Sequence, residues 1–423
     1  MTSTDAGNGY TLTRGVTLLF AVACGTAVAG VYFAQPLLVT LGSDFSITPA
    51  LLGFVVTLTQ IGYGLGLFFL VPLGDLVDPR RLVVTQLLLL AAALVVVGLA
   101  TTGAVLLAGM VAVGLLAVVT QTLVAFAASL APAARRGRVV GLVTSGVVTG
   151  ILLARTVSGI LADLAGWRWV YLSSAAACCV LALALRRALP YGTAKPYGTA
   201  DARVQGYRRL LRSTIVLFTR EPVLRLRAAF ALLIFAAFGT LWSCVALPLS
   251  APPLSLSHTQ IGAFGLAGAA GALAAALAGR LNDRGRSRWT TGAGLALLAV
   301  SWLPLASTRQ SLWALAVGVV VLDLAVQTVH VTNQSLIYAL HPGAGSRIIG
   351  GYMVFYSIGS ACGAAGSTAM YAAAGWGGVC ALGAAISCGA LLLWACSGDA
   401  RPRRSPRAAD RRGAGTDQPC DKP

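Results

Sequence analysis

Arg138-Val139-Val140-Gly141 reappears 209 residues later as Arg347-Ile348-Ile349-Gly350, and Gly166-Trp167 reappears at the same offset as Gly375-Trp376. Other pairs fall in register around these anchors. Leu52-Gly53 matches Ile261-Gly262 at 209, and Gly74 and Asp78 match Gly279 and Asp283 at 205. Gln121-Thr122 and Ser129-Leu130 match Gln327-Thr328 and Ser335-Leu336 at 206. Any one pair is weak. Five collinear pairs, at an offset near half of the 423 residues, mark an internal duplication.

Each copy is a series of apolar runs. The chain is 57% hydrophobic and 10% charged, with a mean hydropathy of +0.80, which leaves too little polar surface to coat a water-soluble globule. A hydrocarbon layer requires about 20 apolar residues per helical span. Twelve such runs occur, from 16–39, read as the first span and not as a cleaved leader, to 376–396. The reading is an all-α membrane protein of twelve transmembrane helices in two pseudo-symmetric six-helix bundles, 16–187 and 228–397. A basic linker (188–227) joins them, and tails of 1–15 and 398–423 flank them. Six spans per copy give both copies the same orientation, related by an axis along the membrane normal with a transport path between them. The linker holds a tandem Pro-Tyr-Gly-Thr-Ala (190–200), then a stretch, Tyr207 to Phe218, that alternates basic and apolar residues at helical spacing and is expected to lie along lipid headgroups.

The net charge of +18 is decided by its placement. With twelve spans, 28 of the 31 Lys and Arg fall on the side that carries both termini; the exceptions are Arg155, Arg168 and Arg309. This is the asymmetry that membrane insertion imposes, so both termini are expected in the cytoplasm of a bacterial-type inner membrane and no nucleic-acid partner is expected. The nine cysteines show no metal-type spacing, and eight lie within apolar runs as small packing residues, so no metal is expected. No nucleophile–base set and no phosphate-binding Gly-rich loop is evident, since His258, His330 and His341 are scattered. An enzyme is not expected.

Two loops carry related motifs. Pro72-Leu73-Gly74-Asp75-Leu76-Val77-Asp78-Pro79-Arg80-Arg81 follows the second span, and Gly279-Arg280-Leu281-Asn282-Asp283-Arg284-Gly285-Arg286 follows the eighth. Glycine permits close helix approach, aspartate caps or pairs, and clustered arginines find carboxylates or headgroups, so the two loops are candidate gating elements. The pattern resembles the cytoplasmic loop signature of the major facilitator superfamily, Gly-x-x-x-Asp-Arg-x-Gly-Arg; in the first copy Pro79 replaces the Arg and the later Gly is missing. Val31-Tyr32-Phe33-Ala34-Gln35-Pro36-Leu37-Leu38 is similar to a signature of bacterial twelve-helix drug, sugar and nucleoside exporters. Span 5 is similar to the antiporter motif of drug exporters through Gly141, Gly150 and Gly159, whereas Ala154-Arg155 occupies the motif's Gly-Pro position. The resemblance covers roughly residues 15–397. It implies a monomeric secondary transporter that exports a small organic molecule against proton entry by alternating access, with the proton gradient as its energy source and no cofactor. An importer, or a non-transporting sensor or scaffold on the same fold, remains an alternative.

Ionisable groups at membrane depth cost at least about 2.5–3.5 kcal/mol on insertion scales and so mark function. Arg155 in span 5 and Asp323 in span 10 lie at similar depth in opposite halves, and Asp323 is the one carboxylate deep in a span, able to load and release a proton where Arg stays charged. Asp323, Gln327, His330 and Gln334 share an arc of roughly 60° on their helix. The stripe faces either a polar path or neighbouring helices. Gln121, the repeat partner of Gln327, and Gln35 are further candidates to line the path. Tyr352 and Tyr356, four residues apart on span 11, are candidates to stack on a planar substrate.

Overall fold

The computed structural model describes residues 13–132, 135–189, 207, 211–212, 215–216, 218–268, 278, 281–282, 284–340 and 345–397. The Pro-Tyr-Gly-Thr-Ala repeat, Gly279, Arg280, Asp283, His341 and the tail from 398 lie outside them, as do the side chains of Asp75 and Arg347. Every regular element among the described residues is helical.

The first half comprises α1 (Arg14–Asp44), α2 (Pro49–Gly74), α3 (Pro79–Gly98), α4 (Gly103–Leu130), α5 (Arg136–Ala165) and α6 (Trp167–Ala188). The second comprises α7 (Pro222–Ser250), α8, which opens with His258–Ala263, α9 (Ser287–Ala306) and α10 (Leu312–Leu340). Gly345–Cys396 closes the chain as one continuous element with a break at Gly375, where φ is 63°. Ten helices are long and apolar enough to cross a membrane, and the last of them runs 49 residues. At 1.5 Å per residue that is about 74 Å, more than twice a hydrocarbon layer of about 30 Å, so the break at Gly375 divides it into two crossings, α11 and α12. The eighth expected span, 259–279, runs through residues outside the described set, and the twelve-helix reading is consistent with what is described.

The repeated motifs have structural counterparts. Gly166 ends α5 with φ 89°, as Gly375 ends α11 with φ 63°, in an extended positive-φ conformation that costs an L side chain about 1–3 kcal/mol. The Trp after each glycine anchors the turn: Trp167 Nε1 donates to Asp44 Oδ2 (2.7 Å) and Trp376 Nε1 to the Leu305 carbonyl (2.8 Å). The bond to Asp44 also explains why α1 runs five residues past its expected end at 39.

Prolines break α1 and α7 at matching places. Pro36 and Pro248, 212 residues apart, have no N–H to donate to the preceding turn. In α1 the backbone tightens instead to Val31 N–Val28 O (3.1 Å), Tyr32 N–Ala29 O (2.9 Å) and Gln35 N–Tyr32 O (3.2 Å). In α7 the corresponding bonds are Cys244 N–Leu241 O (3.1 Å) and Leu247 N–Cys244 O (3.0 Å). Such tightened turns inside helices often mark hinges.

Among the described residues, the halves meet on the side away from the chain termini, here the far side. Between α2 and α11, the Gly53 amide donates to Thr368 Oγ1 (3.2 Å) and Thr57 Oγ1 donates to the Ala361 carbonyl (3.0 Å). Between α5 and α8, Thr156 Oγ1 donates to the Gly262 carbonyl (3.0 Å). Beyond it Asp163 holds His258 Nδ1 (2.6 Å) and accepts from the Thr259 amide (2.8 Å) and hydroxyl (2.6 Å). The other His258 nitrogen reaches Thr40 Oγ1 (2.7 Å). This seam needs glycine: a Cβ on Gly159 would collide with the His258 backbone, and one on Gly262 with that of Arg155. Burial along α5 is uneven. Val143 is its one buried residue before Ala154, whereas Ala154, Arg155, Ser158 and Gly159 are all buried.

Of the linker stretch expected along headgroups, few residues are described: Arg212 and Ile215 are exposed, and two aromatic residues touch the helices. Tyr207 donates to the Phe69 carbonyl (2.7 Å), and Phe218 is buried and stacks on Phe355 with centroids 5.6 Å apart.

Candidate functional site: a charge-bearing aromatic cage between the halves

The tightened turn of α1 turns Tyr32 and Gln35 toward α5. There Arg155 Nε donates to Gln35 Oε1 at 2.6 Å, and the guanidinium lies over three rings: Trp242 (3.9 Å to the centroid), Tyr32 (5.0 Å) and Phe238 (5.6 Å). Arg155 is 2% exposed, so a charge at membrane depth is met by one amide oxygen and a set of ring faces. Its Nη2 is buried with no hydrogen-bond partner among the described residues.

Asp323 on α10 is 5% exposed. It does not pair with Arg155: the ion pairs among the described residues are Arg168–Asp44 and His258–Asp163. Trp242, on α7 just before its break, connects the two charges. Its face lies on Arg155 and its Nε1 donates to Asp323 Oδ1 at 3.1 Å. The other carboxylate oxygen faces Gly268, where a Cβ would approach it to 2.9 Å. One indole thus carries the contact between a cation of the first half and a carboxylate of the second.

The floor of the cage is made of tyrosines. Tyr32 and Tyr356 hydroxyls lie 2.6 Å apart, joining α1 to α11. The Tyr356 ring packs on Phe235 (4.0 Å between centroids) and near Tyr63 (6.3 Å), whose hydroxyl accepts from Gln121 Nε2 at 3.5 Å. Gln35, Arg155, Tyr356, Gln121 and Asp323 are therefore drawn into one region by contacts that cross the interface or line it. His330 and Tyr352 lie one step nearer the termini: His330 Nδ1 and the Tyr352 hydroxyl are 3.0 Å apart, their rings stack, and Tyr352 is fully buried. Gln327 and Gln334 are half-buried, and neither makes a side-chain hydrogen bond among the described residues.

The loop and helix-5 candidates lie elsewhere. Asp78 caps α3, accepting from the Arg81 amide at 2.9 Å, with Pro79 in the first helical position. Arg80 donates to the Arg186 carbonyl, Gly74 is buried, and Arg284 and Arg286 flank a turn at Gly285 (φ 73°) ahead of α9. Gly141 faces open space, Gly150 packs on Gly25 of α1, and Gly159 belongs to the far-side seam.

Sequence reasoning passed over Tyr32, Trp242, Phe238 and Arg227. It assigned Arg227 to the linker, but α7 begins at Pro222, and Arg227 Nη1 donates to Asn333 Oδ1 (3.3 Å) and Thr291 Oγ1 (3.5 Å). The Glu221-Pro222 pair was the available signal, since proline favours the first turn of a helix.

The family model of the Major Facilitator Superfamily matches residues 18–251 and again 229–419. This chain belongs to the major facilitator superfamily. It is 44% identical over 385 residues to the uncharacterized transporter YgaY of Escherichia coli O157:H7, covering 91% of this chain and 96% of that one. It is 33% identical over 372 residues to the probable transporter SCO4007 of Streptomyces coelicolor, covering 87% and 84%. Among solved structures, a peptide transporter, POT, in complex with alafosfalin aligns with a TM-score of 0.69 at 15% identity, covering 92% of this chain and 96% of that one. A bacterial homologue of the lysosomal transporter Spinster, in an inward-facing conformation, aligns with a TM-score of 0.66 at 16% identity, covering 90% and 94%. As a major facilitator the chain is a multi-pass membrane transporter. The cage lies where its two halves meet.

Proposed function

We propose that this transporter exports a small planar organic molecule in exchange for protons, with Arg155 as the donor to substrate and Asp323 as the proton carrier. The observation that carries the reading is the Trp242 bridge, an indole stacked on Arg155 and hydrogen-bonded to Asp323. Arginine keeps its proton through the cycle, so Asp323 is the member of the bridge that changes charge. Charged and still ionised, it fixes Trp242 through a charge-assisted bond. The fixed ring then completes a cage whose faces suit a planar substrate and whose free Nη2 suits an acceptor or anionic group on it.

Placement of 28 of 31 basic residues on the terminal side makes that side the cytoplasm. The far seam is then the outer gate, and substrate is taken up from the near side. After the halves rock, a proton from outside neutralises Asp323, the indole loses its ionic acceptor, and the cage loosens and releases substrate. Return and proton release inside reset the site. No resident cofactor is needed, and one chain holds the whole path.

The test is complementation of a strain lacking the transporter, screened against toxic planar compounds and nucleoside analogues. The wild-type chain restores resistance to at least one of them, and Asp323→Asn and Arg155→Gln, present in the membrane at equal amounts, do not. Full resistance with Asp323→Asn would refute proton exchange through this carboxylate.

A further inference from the structure

The lipid-facing side of α1 and α5 lies outside the cage and has its own shape. Gly25, Gly146 and Gly150 bring the two backbones into contact: a Cβ on Gly146 would collide with the Ala21 carbonyl, and one on Gly150 with Gly25. Without side chains to fill the seam, the surface keeps a groove of about 550 Å³. Its walls include Leu18, Val22, Leu142, Leu153 and Val157, all exposed.

Leu142 also borders a second hollow, of about 230 Å³, at the near end of the same seam. Arg14, Arg135 and Arg138 line it, with Thr17 and Val139. No acidic residue lines the hollow, and none of the three guanidinium groups makes an ion pair or hydrogen bond among the described residues. Three uncompensated cations therefore stand at the mouth of an apolar groove. Membrane insertion explains why arginines lie on this side; it does not explain why residues from two helices converge on one hollow that continues into a groove.

We propose that the α1–α5 groove binds one anionic phospholipid of the near-side leaflet, with its phosphate held by Arg14, Arg135 and Arg138 and an acyl chain lying over Gly146 and Gly150. Guanidinium groups match phosphate oxygens in pairs. The α5 wall of the groove runs from Leu142 to Leu161, about 28 Å, close to the whole ~30 Å hydrocarbon layer, so its near half, which opens on the arginines, has the depth of one leaflet. A free anion would leave the groove without purpose, and a neutral lipid would leave the arginines without a partner. The N-terminal segment 1–12 is a poor match for the hollow, since Asp5 is its one acidic residue.

Native mass spectrometry of the detergent-purified full chain, with phosphatidylglycerol and phosphatidylcholine added in equal amounts, tests this. The wild type retains phosphatidylglycerol preferentially. Arg135→Gln/Arg138→Gln removes that preference, a loss of roughly tenfold or more in relative occupancy for two basic contacts. Thr149→Trp, which fills the groove and leaves the arginines in place, lowers retention of phosphatidylglycerol. Thermal unfolding in detergent shows whether each variant is folded, and Arg14→Gln, judged by the same criterion, replaces the double variant if that one is not. Equal retention of the two lipids by the wild type, or unchanged preference in the arginine variant, overturns the proposal. So does displacement of the lipid by inorganic phosphate, which would make this a free-anion site, or binding that appears only after residues 1–12 are deleted, which would make the groove the seat of that segment.

Discussion

At the residue scale, two opposite charges at similar depth stand beyond ion-pair distance and share a tryptophan. Direct pairing would have left the remaining atoms of both groups to be satisfied in a dry setting; the indole offers Arg155 a face and Asp323 a donor. Trp242→Phe separates the two roles, since it keeps a ring under Arg155 and removes the N–H. Losing one bond to a charged group costs about 1.5–3 kcal/mol, so the thermal unfolding midpoint in detergent falls, and substrate export persists without response to an imposed proton gradient. A variant with unchanged midpoint and gradient response would show that the indole links nothing. Arg155, Asp323 and Gln35 were legible in the sequence because a polar group in an apolar run must be accounted for. Trp242 and Tyr32 were not, because an aromatic residue in an apolar run is ordinary until the partner of its polar atom is known.

At the scale of elements, the duplication is a record of shared mechanics. Gly-Trp turns close α5 and α11, and a proline tightens α1 and α7. The glycine of the turn is required by its dihedral angle, so Gly375→Ala destabilises the folded protein by about 1–3 kcal/mol. Gly350→Ala, in helical backbone with open space around it, stabilises by about 0.5–1 kcal/mol or is neutral. Thermal unfolding of the two variants side by side checks the pair, and equal effects would remove the argument from φ. The far-side seam is held by close backbone approach, so Gly262→Val forces α8 away from Arg155. In a background without other cysteines, Thr57→Cys, buried between α2 and α11, is protected from a membrane-impermeant maleimide added from outside; adding Gly262→Val exposes it. The repeat offsets made the turns and their order legible. The tightening before Pro248 was not read from the sequence, because only Ala, Pro and Leu at 246, 248 and 249 preserve the Pro36 segment.

At the scale of the whole molecule, hydropathy, charge asymmetry and duplication were sufficient to read a two-half membrane protein, because each is a property of many residues at once. Which half-to-half contacts close the far side was not legible, since those contacts rest on backbone carbonyls met by glycines and threonines that carry no sign of their partners. The central claim is that a charge change on Asp323, relayed by Trp242 to Arg155, drives the exchange between the inward- and outward-facing arrangements. Purified protein in proteoliposomes, loaded with a substrate found by the resistance screen, tests it most directly when a pH step is imposed and substrate and proton movements are recorded together. The wild type moves substrate against its gradient with opposite proton movement. Asp323→Asn still exchanges labelled for unlabelled substrate but moves no protons and accumulates nothing. Proton-driven accumulation by Asp323→Asn at the wild-type rate would contradict the account.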